Sequence, residues 1–133
     1  MGKYEKYIVR KPLMMEEPKF HAGRKLPIFM GVEVLSEAKV TIHGHWRTEK
    51  EMPTKGVQVV TPHTHDVDKV YLCLGEPGAS EMEVQLGDET YKVECPYSVY
   101  VPAGLKHAIH GTKIMKPPVA MAMILLKGTY TGK

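Results

Sequence analysis

Among the seven histidines of this 133-residue chain are two His-x-His pairs, His43-Gly44-His45 and His63-Thr64-His65. In a β-strand, residues i and i+2 share a face, so either pair would turn two imidazoles toward one point. Imidazole is a ligand for zinc, copper, iron and nickel, and a third histidine can come from a strand far along the chain. Taken alone, a His-x-His pair on a strand is more commonly a solvated polar face than a metal site. The surroundings set the second pair apart. His63 and His65 follow Gly56 and a strand candidate, Val57–Pro62. His107 closes a turn, Pro102-Ala103-Gly104-Leu105-Lys106-His107.

The elements that would carry these residues are short strands. Ten prolines and twelve glycines punctuate the chain, and runs rich in Val, Ile, Tyr and Thr lie between them. The strand candidates are Phe29–Leu35, Lys39–Arg47, Val57–Pro62, Val70–Leu74, Met82–Leu86, Thr90–Glu94, Ser98–Val101 and Val119–Leu126. Met82-Glu83-Val84-Gln85-Leu86 alternates cleanly, giving one dry face and one wet face. Leu86-Gly87-Asp88-Glu89 reads as a hairpin turn, because Gly-Asp tolerates positive φ. Met14 to Lys25 shows no period, so it reads as a loop or a short helix. Residues 1–28 are therefore set apart as an N-terminal arm, packing on residues 29–133 or on a second subunit. About eight strands must hide their edges, which a closed barrel or a double-sheet jelly roll does.

Composition narrows the function classes. The chain is 43% hydrophobic and 25% charged, ordinary for one globular domain. Its formal net charge of +3 is mild, and no basic stripe with interleaved aromatics suggests nucleic acid as a partner. No apolar run approaches the length of a membrane span, and the start, MGKYEKYIVRKPL, has no signal-like apolar region. Cys73 and Cys95 form no Cys-x-x-Cys pair and read as reduced thiols of a cytoplasmic protein.

With both histidine motifs in order, residues 56–111 resemble the cupin superfamily. The first cupin motif places a glycine before His-x-His, then a glutamate and a second glycine; here stand Gly56, His63-Thr64-His65 and Gly75. The second motif holds Pro-x-Gly-x-x-His, and here Pro102-Ala103-Gly104 leads to His107, with Pro96 before it and Gly111 after it. The resemblance implies an all-β, double-stranded β-helix (jelly-roll) barrel with an N-terminal arm. It also implies that His63, His65 and His107 bind one divalent metal ion inside the barrel mouth. Iron stands first among Fe, Mn, Zn, Ni and Cu, which the sequence does not distinguish. Barrels of this family pair, so a homodimer is expected.

Lys69 stands where the motif has its glutamate. Alternation gives Lys69 the parity of His65, aimed at the metal. Its ammonium ~4 Å from a divalent ion would be repelled by several kcal/mol at an effective dielectric near 20. Three arrangements follow: three histidines alone, a slip that brings in Asp68 (or Asp66) as fourth ligand, or loss of the metal. Lys69 would bind an anionic substrate or act as a base, unless it turns outward onto Asp66 or Asp68. His45 and Tyr71 are further candidates for orienting a substrate. Cys73 reads as a buried structural thiol and His110 as a surface residue.

The function expected is that of a metal-dependent enzyme, dioxygenase-like or a lyase or isomerase, acting on a small polar or anionic molecule. A non-catalytic small-molecule binder or sensor is the alternative, and an assembly protein with a relict site is the third reading. Fold alone does not choose among them.

Overall fold

In the computed structural model, residues 2–16, 25–52 and 62–127 are described. Gly56, His21 and the expected strand Val57–Pro62, apart from Pro62, lie outside them. Among the described residues, a short 3-10 turn, Glu5–Tyr7, precedes nine strands: β1 Leu13–Glu16, β2 Lys25–Met30, β3 Thr41–Arg47, β4 Lys69–Leu74, β5 Ser80–Leu86, β6 Glu89–Glu94, β7 Tyr97–Val101, β8 His107–Ile114 and β9 Val119–Leu125. They form two antiparallel sheets, one ordered β1-β2-β3-β9-β4-β7 and one ordered β6-β5-β8. Among the described residues, no helix is long and apolar enough to cross a membrane.

Alternation decides what lies between the sheets. On β4, Lys69, Tyr71 and Cys73 are buried, while Val70 and Leu72 are half-buried and Leu74 is exposed. Cys73, Ala79, Cys95, Ile114 and Val119 form an apolar cluster, with Tyr97 and Met121 packed against it. β4 therefore runs from this apolar end, at Cys73, to a polar end at Lys69. Cys73 Sγ lies 3.3 Å from Ser80 Oγ, in keeping with a structural thiol.

The turn at 86–89 forms as its sequence suggests. Leu86 pairs with Glu89, so Gly87 and Asp88 make a two-residue loop. Gly87 has φ 64°, the positive value a type II′ turn requires at its first central position.

Three expectations are altered. The strand expected over Phe29–Leu35 ends at Met30, because the amides of Val34 and Leu35 both donate to the Gly31 carbonyl and close a turn. The region from Met14, expected as loop or helix, supplies β1, which pairs with β2. Finally, His107–Ile114 is a full strand, where only a turn and a histidine were expected.

Candidate metal centre

Where β8 begins, the two halves of the candidate site are tied by main chain. His63 and His107 form a bridge, with N–H to carbonyl distances of 2.9 and 3.0 Å. The Gly104 amide donates to the His65 carbonyl at 2.8 Å. Gly104 has φ 82°, so the Pro-x-Gly turn can present that amide without the strain a Cβ would add. The turn before β8 thus holds the segment carrying His63 and His65.

The side chains converge. His63, His65 and His107 are all buried, and their candidate ligand nitrogens lie within 4.8 Å of one another. Among the described residues this is the grouping of His, Cys, Asp or Glu able to hold an ion. His63 Nε2 is 3.1 Å from His65 Nε2. Four nitrogens around an ion at ~2.0–2.1 Å would stand about 3.3 Å apart, so this spacing suits two ligands of one ion. His107 Nδ1 lies 2.9 Å from the Leu105 carbonyl, an acceptor only, so Nδ1 carries the proton. Its Nε2 lone pair is thereby aimed inward, as a metal ligand needs.

Lys69 faces the same space. It is fully buried, with Nζ 2.9 Å from His107 Nε2 and 3.2 Å from His65 Nε2. It also sits 4.8 Å from the centre of the Tyr71 ring. Burial lowers its pKa to about 7, because an ammonium loses hydration there. The outward-turned Lys69 is therefore not what forms.

Asp68 points elsewhere. Its carboxylate accepts from Tyr100 Oη and from the Ala103 amide at 2.9 Å, and both hold its carboxyl below the usual range. Adjacent strand residues face opposite ways, so an inward Lys69 turns Asp68 out. Asp66 accepts from Lys127 at 2.7 Å. Neither acid joins the histidine cluster.

Tyr71 is buried beside the site, its ring centre 6.3 Å from that of His107, and burial raises its pKa. His45 is half-buried on β3 and stands outside the cluster. Its partner His43 is buried, with Nε2 3.2 Å from Met123 Sδ. His110, on β8, reaches Gln85 Oε1 at 3.1 Å.

No family model and no curated protein matches the chain. Solved structures do. A cupin protein from Bacteroides fragilis is similar at TM-score 0.51 and 13% identity, covering 89% of this chain and 90% of that one. A protein from Planctomyces limnophilus is similar at TM-score 0.55 and 13% identity, covering 90% and 85%. An oxalate decarboxylase is similar at TM-score 0.56 and 12% identity, covering 93% of this chain and 30% of its own length. At these identities the likeness establishes the fold alone: this chain folds as two antiparallel sheets in the jelly-roll manner of those structures.

Proposed function

We propose that the chain is a mononuclear metal-binding cupin in which His63, His65 and His107 hold one divalent ion. The observation that carries this is the convergence of three buried histidines, with His63 and His65 Nε2 3.1 Å apart. A bound ion would supply Lewis-acid or redox chemistry to a small polar or anionic molecule. Lys69 borders the histidines, and Tyr71 beside them would orient that molecule. A dioxygenase-like enzyme is the reading pursued first; the fold likeness to an oxalate decarboxylase adds small carboxylates to the compounds worth trying. A non-catalytic binding role would leave the same metal site without turnover.

Elemental analysis of protein purified without chelator tests the reading. Near-stoichiometric metal in the wild type, lost in His63→Ala, is the expected result. A metal-free wild type that also takes up none on dialysis against Zn, Ni, Cu, Fe or Mn would sink it. Oxygen uptake and product analysis with small thiols, diketones, hydroxy acids and carboxylates then separate enzyme from binder.

The outer face of the large sheet supports a homodimer. Ile42, Trp46, Leu72, Leu74, Ala120 and Ala122 line it without a charge. Trp46 is 64%, Leu74 55% and Phe29 41% exposed. Those three side chains leave on the order of 300 Å² of apolar surface in water, the size of a monomer's largest apolar patch, which is often functional. An uncharged patch suits a second copy of itself, since it needs no opposite charge to meet. Sedimentation of the wild type should give a dimer and Trp46→Glu a monomer; a monomeric wild type overturns the pairing. A cytoplasmic setting agrees with the two free, buried cysteines.

A further inference from the structure

We infer that Lys69 supplies the fourth ligand of the site, an amine nitrogen in the place of a carboxylate, so that the metal is held by four neutral nitrogens. The inference rests on the three-histidine reading above and specifies what completes it.

The geometry comes first. Lys69 opens β4, and alternation with Tyr71 and Cys73 commits its whole side chain to the interior. Three nitrogen-to-nitrogen distances, 3.1 Å between His63 and His65, 3.2 Å from Lys69 to His65 and 2.9 Å from Lys69 to His107, link the four groups into one compact set. These three distances lie near the edge length, about 3.3 Å, of a four-nitrogen shell around an ion at ~2.0–2.1 Å. The same distances serve N–H···N hydrogen bonds from Lys69 to the two imidazoles, so metal loading must replace those bonds with bonds to the ion.

Charge then makes the choice sharp. An ammonium and a divalent ion cannot share this space, because both are buried and the repulsion is poorly screened. The acids adjacent in sequence are engaged elsewhere, Asp66 with Lys127 and Asp68 with Tyr100 and Ala103. Among the described residues, the imidazoles of His65 and His107 and the Tyr71 ring face Lys69 Nζ, and none of these carries a negative charge. On loading, the amine lone pair forms the fourth bond, and any proton on Nζ leaves to solvent, as metal ligation generally requires. Four neutral nitrogens favour Cu(II), Ni(II) and Zn(II) over Mn(II), which prefers oxygen.

Cu(II) alone serves as the probe. Wild type, Lys69→Met and Lys69→Glu are titrated with Cu(II), and nitrogen couplings are counted by electron paramagnetic resonance. The expected result is four coordinated nitrogens in the wild type, three in Lys69→Met, and affinity weakened at least roughly tenfold in Lys69→Met. In the wild type, zinc should out-compete manganese, and Lys69→Glu should narrow that gap. Three nitrogens in the wild type, with equal or tighter binding by Lys69→Met, overturns the lysine ligand and leaves the three-histidine site standing. Binding by Lys69→Met but not by the wild type does the same, making Lys69 a block. No binding by any of the three proteins overturns both readings. If Lys69→Met fails to fold, the nitrogen count of the wild type decides by itself.

Discussion

His43 and His45 stand on regular β3 with ring centres 6.4 Å apart, whereas the rings of His63 and His65 are 4.8 Å apart. The spacing in sequence is the same. A strand advances ~3.3 Å per residue, so alternate side chains run side by side about 6.6 Å apart, as the first pair does. Sharing a face is thus not the same as meeting at a point. The second pair sits outside the named strands, joined to β8 by the His63–His107 bridge. Released from the regular repeat and pinned by main-chain bonds to His107 and Gly104, its two Nε2 atoms come within 3.1 Å. In this chain the convergence goes with irregular backbone held by a neighbouring turn.

The largest effect should come from deleting one member of each pair. His65→Ala should abolish stoichiometric metal binding, while His43→Ala should leave metal content unchanged in elemental analysis of protein dialysed against zinc. Equal loss in both would erase the contrast between the pairs. Stability should still respond at His43, which is buried against Met123. His43→Ala should lower unfolding free energy by ~1–3 kcal/mol in urea, through lost packing.

The turn that pins the second pair is the next lever. Gly104→Ala places a Cβ on a residue with φ 82°, which should cost about 1–2 kcal/mol. Because the Gly104 amide supports the His65 carbonyl, zinc affinity measured by calorimetry should fall as well. Destabilisation with unchanged affinity would mean that the turn does not position His65.

Smaller effects are expected at Asp68. Asp68→Asn should leave zinc affinity within twofold of wild type by calorimetry, because the carboxylate faces Tyr100 and Ala103. A loss of tenfold or more would return Asp68 to the site. Tyr100→Phe should raise the Asp68 carboxyl toward its ordinary value, seen by NMR titration, since the Tyr100 hydrogen bond is the chief cause of its lowering. A carboxyl lowered on folding adds stability above its unfolded value, and that stability is lost as pH falls through the folded value. Tyr100→Phe should therefore flatten the acid limb of stability slightly.

Particular residues show how far the sequence could be read. Alternation over Met82–Leu86 and the Gly87-Asp88 turn gave β5 and β6 with little error, because both signals are local. β8 escaped because its His-Ala-Ile-His-Gly-Thr-Lys-Ile run breaks the period of two. Its register against β5 shifts between Glu81 and Glu83, and Gly111, at φ 59°, lies on the β8 side of that shift. An extra residue there reverses the in-out pattern that sequence reading depends on. β1 escaped because Leu13–Glu16 acquires its strand character from pairing with β2.

The sequence by itself determined that Lys69, Tyr71 and Cys73 share a face and that the glutamate register holds a lysine. It also determined that His63, His65 and His107 are the histidines carrying a cupin-like motif spacing. Those are matters of period and order, which one chain records. Tertiary structure decided that the shared face turns inward, that Lys69 Nζ reaches two imidazoles, and that Asp68 faces out. It decided too which His-x-His pair converges. These depend on hydrogen bonds between segments some 40 residues apart, His63 with His107 and His65 with Gly104, and such pairings leave no local trace.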